Sequence, residues 1–330
     1  MPGKLCRTGR LCAVAVSLAL LAGGLAAHAQ PQIAYLVKDL DSSPPSGVSQ
    51  VRETQTALGG WVYFSAEDPR YGTELWRTDG TAAGTELFLD LCPGDCNSEP
   101  YVLALGGRLF INANDGVHGR ELWVSDGTRA GTHLLADICP GACDSLGTPV
   151  FGIPWVVEAG GAFLFTARDG TSASFQLWRT DGTAAGTSQV ATDLAPPEWP
   201  LTAFAGQIYY VSKAADGSDR LVRSDGRPEG TVAVPGVCAS PCRSSLRIVV
   251  ATDSRLLVAD LWTSAWTIDR SGAVRPFPRL CTDGCSWIGV AATGGAYVVV
   301  RGTLWFTDLD PEGTSTRLYD LTSYPDSLTT

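Results

Sequence analysis

Beyond residue 30 the chain is written in short apolar–polar alternations rather than in helical periods. Residues 101–138 show the pattern: "YVLALGG" (101–107), "RLFINAND" (108–115), "RELWVSD" (120–126) and "THLLADI" (132–138). Alternation over four to eight positions, broken by Gly or Asp-Gly, predicts strands joined by tight turns. Four such segments in succession predict a four-stranded antiparallel meander, with strands a, b, c and d. No ten-residue stretch beyond the leader offers a convincing amphipathic helix.

The same grammar recurs along the chain. "ELWRTDGTAAGT" (74–85) returns as "ELWVSDGTRAGT" (121–132) and "QLWRTDGTAAGT" (176–187). Weaker copies follow at "RLVRSDG", where Val222 stands in the Trp position, at "AWTIDRSG" with Trp266, and at "LWFTDLDPEGT" with Trp305. From Trp76 to Trp305 the intervals are 47, 55, 44, 44 and 39 residues. A unit of this size cannot bury a core alone, whereas neighbouring copies can bury one between them. The expected fold class is all-β, a β-propeller of six four-stranded blades, with seven as the alternative count. The blades are expected at about 48–91, 98–138, 145–194, 198–237, 243–280 and 286–321, within one domain spanning 30–330. "IAYLVKDL" (33–40) resembles a lone d strand that would latch the ring.

Within the motif, Leu75 and Trp76 should point to opposite sides of strand c, one of them toward a neighbouring blade. Asp79, Asp126 and Asp181 are expected to cap the following turn by accepting N–H groups two and three residues on. Gly84, Gly131 and Gly186 are expected to supply a left-handed conformation at the start of strand d. Calcium at these turns is the alternative, but a dedicated loop carries several oxygen ligands at alternating positions. Each turn has one Asp among Thr, Ala and Gly. Residues 72–85, 119–132 and 175–187 resemble the bacterial ELWxxDGT-repeat proteins. That resemblance implies an exported, propeller-like repeat protein and implies no particular activity. The fourth copy departs from the pattern at Val222, and the fifth and sixth lose the Asp-Gly pair.

The amino terminus adds a compartment. Lys4, Arg7 and Arg10 precede an apolar run from Leu11 to about Leu25, followed by "AHA" at 27–29. This is the layout of a cleavable export signal, residues 1–29. The run falls short of the roughly 20 apolar residues that a membrane span needs. The expected destination is the periplasm, the cell surface or the exterior. Cleavage after Ala29 leaves 21 basic residues against 34 acidic ones, a net charge of −13. A field of that sign repels nucleic acid and anionic membrane. No second segment has membrane-spanning length.

Eight of the ten cysteines lie beyond the signal, in four pairs of equal spacing: Cys92 and Cys96, Cys139 and Cys143, Cys238 and Cys242, Cys281 and Cys285. Paired cysteines in an exported chain predict disulfides. Pro-Gly inside the first two pairs favours a type II turn that brings the cysteines together. So small a ring contributes about 2 kcal/mol on a loop-entropy model. No His follows any pair, as haem attachment would need, and structural zinc is the alternative.

Catalytic material is sparse. His118 falls in a b–c turn and His133 at the start of a d strand, so they should not share a site. No P-loop or dinucleotide fingerprint appears. Carboxylates are plentiful (Glu53, Glu67, Glu99, Glu158, Glu198), but no spacing selects a glycosidase pair. All four Cys pairs fall in d–a junctions, which share one face with the b–c turns. Trp155, Trp199 and Trp287 lie in or just after such junctions, and Asp68, Asp115, Asp169 and Asp216 form an acidic rim of b–c turns. The candidate ligand face is Trp155, Trp199, Trp287, Asp115 and Asp169; capping the core between blades is the other role open to the three Trp. The sequence therefore points to a non-enzymatic, exported binder of a protein or glycan, with no cofactor. The alternatives are a glycan hydrolase with carboxylate catalysis and a purely structural surface or matrix protein.

Overall fold

The computed structural model describes residues 55–94, 96–147, 155–171, 174–192, 201–214, 216–237, 246–260, 264–277, 287–292, 294–300, 303–313 and 315–320. They form six four-stranded antiparallel sheets, each a simple meander. Sheet 1 holds β1 (Gln55–Leu58), β2 (Trp61–Asp68), β3 (Gly72–Thr78) and β4 (Glu86–Leu89). Sheet 2 holds β5 (Tyr101–Leu105), β6 (Arg108–Asn114), β7 (Arg120–Ser125) and β8 (His133–Leu134). Sheet 3 holds β9 (Val156–Ala159), β10 (Ala162–Ala167), β11 (Gln176–Thr180) and β12 (Ser188–Ala191). Sheet 4 holds β13 (Thr202–Phe204), β14 (Gln207–Lys213), β15 (Asp219–Ser224) and β16 (Val232–Ala233). Sheet 5 holds β17 (Leu246–Ala251), β18 (Arg255–Asp260), β19 (Ala265–Asp269) and β20 (Val274–Phe277). Sheet 6 holds β21 (Trp287–Ala292), β22 (Gly295–Val300), β23 (Thr303–Thr307) and β24 (Ser315–Asp320). No helix is present among the described residues. The proposed latch strand at 33–40 lies outside them.

The first strands of successive sheets pack side by side: β1 with β5, β5 with β9, β9 with β13, β13 with β17, and β17 with β21. A fan of meanders joined along their first strands is the blade arrangement of a β-propeller. The hydrophobic core accordingly lies between sheets. Tyr63, Leu75, Phe88 and Ile111 lie in the layer between sheets 1 and 2, and Phe110, Leu122, Leu135 and Phe165 in the layer between sheets 2 and 3. Leu177 and Tyr210 belong to the layer between sheets 3 and 4, Leu221 and Leu256 to the next, and Leu257 and Val298 to the last.

The third strand shows how the motif builds this. Leu122 joins the layer toward sheet 3, while Trp123 packs on the layer toward sheet 1. Adjacent positions thus serve opposite layers, as alternation requires. Pairing between the third and fourth strands shifts register at Leu75/Trp76, Leu177/Trp178 and Leu304/Trp305. The extra residue of this bulge is Phe88 in sheet 1 and Val190 in sheet 3, and both side chains are buried. A bulge re-aims one side chain, and here it adds an apolar group to the inter-sheet layer.

The turns after the third strands of sheets 1 to 3 differ from expectation in two respects: the aspartate takes the N–H two residues on together with a hydroxyl rather than the N–H three residues on, and the left-handed glycine is a different one. Gly84, Gly131 and Gly186 do not have positive φ; Gly80, Gly127 and Gly182, the glycines of Asp-Gly, do, at 91–92°. The later glycine has a steric role instead. A Cβ at Gly84, Gly131 or Gly186 would overlap the carboxylate of Asp79, Asp126 or Asp181. The aspartate accepts the N–H two residues on (Thr81, 2.8 Å) and that threonine's hydroxyl (2.7 Å). The threonine Oγ1 in turn accepts the Gly84 N–H at 2.9 Å. Hydroxyl pairs Thr78–Thr85, Ser125–Thr132, Thr180–Thr187 and Ser224–Thr231, at 2.6–2.8 Å, close the base of the hairpin.

Candidate functional site

In the CPGDC and CPGAC loops, Gly94 and Gly141 have φ of 92° and 90°, as the third position of a type II turn requires. The turn brings the Cα atoms of Cys92 and Cys96 to 5.3 Å and those of Cys139 and Cys143 to 5.4 Å, and both pairs are disulfides. Cys238, Cys242, Cys281 and Cys285 lie outside the described residues.

Each described loop is held from several sides. The Glu of the repeated motif, fully buried, reaches it from within its own sheet. Glu74 accepts the Leu91 N–H (2.9 Å), the Ser98 N–H (3.0 Å) and the Ser98 hydroxyl (2.6 Å). Glu121 accepts the Cys139 N–H (3.1 Å) and the Ser145 hydroxyl. The b–c turn of the same sheet binds the loop's far end: Thr73 N–H donates to Asn97 Oδ1 and Arg120 N–H to Asp144 Oδ1, both at 2.7 Å. The following sheet then closes over it. Asn114 N–H donates to the Ser98 carbonyl at 3.0 Å and Arg168 N–H to the Ser145 carbonyl at 2.9 Å. Gly116 and Gly170 sit over the sulfurs, where a Cβ would come within 2.8 Å of Cys92 Sγ or Cys139 Sγ. The stapled loops and the b–c turns therefore share one face, with each loop wedged between two turns.

The rim aspartates close their own turns. Asp115 accepts the Val117 and His118 N–H groups at 2.9 and 2.8 Å and contacts His118 Nδ1 at 2.6 Å. Asp169 accepts the Thr171 N–H and hydroxyl and the Gln176 amide. Asp68 is bound by Arg70, and Asp216 by Ser218. Trp155 is half-buried and packs on the layer between sheets 2 and 3. Trp287 opens β21, and Trp199 lies outside the described residues. At the exposed surface of this face stands Val117, 65% exposed.

Burial pushes the Glu74 carboxyl above its ordinary range against the hydrogen bonds from Ser98 and Leu91. For Glu121 burial likewise outweighs Ser145 and Cys139 and carries the group to about 7. Asp115 goes the other way: burial opposes its charge, but the His118 and Val117 donors prevail and lower it. The hydroxyl and N–H of Thr171 hold Asp169 below the usual carboxylate range. Among the described residues no group of three or more His, Cys, Asp or Glu side chains converges as a metal site would, and no helix is long and apolar enough to cross a membrane.

The loop-binding Glu is the structural residue that motif spacing leaves unassigned. A signal for it exists in the first three copies alone: those with Glu74 and Glu121 precede a Cys pair, whereas the third has Gln176 and a Cys-free junction; the fourth, with Arg220, precedes a Cys pair without the Glu. Gln176 bonds Asp169 of its own b–c turn instead.

Neither a protein-family model nor a curated protein matches the chain in sequence. Among solved structures it is similar to puromycin hydrolase, with 19% identity and a TM-score of 0.40 over 80% of this chain and 46% of that one. It is also similar to virginiamycin B lyase from Staphylococcus aureus, with 12% identity and a TM-score of 0.41 over 80% and 83% of the two chains. AztD from Citrobacter koseri aligns at 11% identity and a TM-score of 0.43 over 79% and 70%. The chain spans less than half of puromycin hydrolase.

Proposed function

We propose that this chain is an exported, non-catalytic propeller of the ELWxxDGT-repeat kind that binds a protein or glycan partner through its stapled loop face. The observation that carries the reading is the repeated wedging of a disulfide loop between two b–c turns, braced by a buried Glu. Loops usually lose entropy when a partner orders them; loops already ordered by their scaffold avoid that cost. The leader at 1–29 and the acidic mature chain fit an extracytoplasmic protein partner or a sugar better than nucleic acid.

The test compares the two faces. The mature chain, immobilised, is presented to a glycan array and to cross-linked envelope extract. Val117→Asp, on the stapled face, should abolish retention of the partner, while Ala130→Asp, in the exposed c–d turn of the same sheet, should not. Loss through Ala130→Asp alone would move the site to the opposite face and overturn the reading. Turnover of activated glycosides, abolished by one carboxylate replacement, would replace binding with hydrolysis.

A further inference from the structure

Of the five layers between consecutive sheets, four have a motif Trp of the following sheet packed against them and one does not. Trp123, Trp178, Trp266 and Trp305 each pack on the layer toward the preceding sheet. In sheet 4 the position belongs to Val222, which pairs with Tyr210 as Trp178 pairs with Phe165. Across the layer, Ala191 holds the register position that Leu89 holds in sheet 1. Two small side chains thus face each other where an indole would fit, and a cavity of about 270 Å³ opens there. Its walls are Ala191, Tyr210, Ser212, Val222 and Thr231, with Arg220 beside them.

Arg220 is a second departure at the same place. It occupies the motif position of Glu74 and Glu121, the loop-binding carboxylates, and sits across from Ser212 on the adjacent strand. The neighbouring Asp219 takes over the bracing task, accepting the Leu246 N–H at 3.0 Å and the Lys213 ammonium. The Arg220 side chain is exposed, and among the described residues no carboxylate pairs with it.

We propose that this cleft between sheets 3 and 4 is a binding site for a small planar aromatic carboxylate. The ring takes the place of the missing indole between Tyr210, Val222 and Ala191, and the carboxylate meets the Arg220 guanidinium at the mouth. A cavity of roughly 150 Å³ already holds benzene, so this one accommodates a bicyclic ring with a short acidic arm. An arginine fork matches a carboxylate in two-point geometry. The site lies in the layer between sheets 3 and 4, none of its lining residues belongs to a described disulfide loop, and it does not depend on what those loops bind.

Isothermal titration of the mature chain with indole-3-acetate and with uncharged 3-methylindole tests the assignment. Indole-3-acetate should bind, and Arg220→Gln should weaken it at least tenfold while leaving 3-methylindole unchanged. Val222→Trp restores the motif residue and should abolish binding of both probes; Ala191→Leu, the residue found in sheet 1, should weaken both if Val222→Trp fails to fold. No heat with either probe at millimolar concentration would overturn the proposal. So would binding that survives Val222→Trp or Ala191→Leu in a folded chain, or that is indifferent to Arg220→Gln.

Discussion

The glycine five residues after the turn aspartate, present in five of the six copies, works as a slot for a carboxylate. A side chain at Gly131 would occupy the space of the Asp126 carboxylate, so the two positions are coupled. Gly131→Ala should lower the unfolding midpoint in the native chain. In an Asp126→Ala background the clash is gone, the φ of residue 131 is ordinary, and the same change should be neutral or stabilising, because it narrows the unfolded ensemble. Thermal melts of the four chains read the reversal of sign. The buried Glu121 makes a second residue-scale expectation. Its carboxyl is raised from 4.5 to about 7 in the folded chain, so folding takes up a proton between those values. The stabilisation linked to that proton is fully present below about pH 4.5 and is lost as pH rises through about 7. Glu121→Gln, which installs the amide that sheet 3 already uses, should flatten the midpoint against pH over that range. The sequence displayed both residues but not their work. An acid inside a strand reads as a solvated position, and only the third dimension places it against a loop 18–24 residues away.

At the scale of the element, the c–d hairpin and the stapled loop are the units that repeat. The four-strand grammar and its boundaries were legible because period-two alternation and Asp-Gly turns are local signals. The bulge opposite the motif Trp was not legible, since an extra residue in a strand leaves alternation nearly intact. The indole nitrogens of Trp76, Trp123 and Trp178 are buried without a hydrogen-bond partner among the described residues. Among the described residues these side chains make packing contacts and no indole hydrogen bond. Trp123→Ala should cost about 3 kcal/mol, toward the lower end for a large aromatic because the ring is only half-buried. Trp123→Phe should retain most of that in a denaturant titration, having no bond to lose. For the loops, peptide mapping of the unreduced protein should recover each bridge inside its own five-residue segment, Cys238–Cys242 and Cys281–Cys285 included. A peptide joining Cys92 to Cys139 would contradict local stapling.

The molecule as a whole behaves as a row of layers, each made by two sheets. Phe88 and Leu256 are both fully buried, but one belongs to the layer between sheets 1 and 2 and the other to that between sheets 4 and 5. Phe88→Ala should cost roughly 3–5 kcal/mol and Leu256→Ala roughly 2–5 kcal/mol. Sharing no partners, they should add to within about 0.5 kcal/mol, whereas Phe88→Ala with Leu109→Ala, in one layer, should not. Sheet number and order could be anticipated from the repeat spacing. The face that carries the disulfides followed from connectivity, because d–a junctions and b–c turns must emerge together. The cleft at Val222 was visible only as an irregularity of the motif. A missing Trp looks like decay until the neighbouring sheet is seen to leave the space open.

The aspartate–glycine slot also explains which copies could drift. The sixth copy has Leu309 where the first four have the Asp-Gly glycine, held at a φ of 61° with its side chain buried in the last layer. It nevertheless keeps Asp308 and Gly313 at the same separation, again in contact. The fourth copy does the same with Asp225 and Gly230 after giving up its Trp. Turn geometry and inter-sheet filling are thus separable instructions within one twelve-residue phrase. Once the turn is secured by two residues, the strand before it is free to change what it presents to the adjoining sheet. A chain built this way can acquire new chemistry one blade at a time, by editing a single strand, while the hairpin that folds it stays the same.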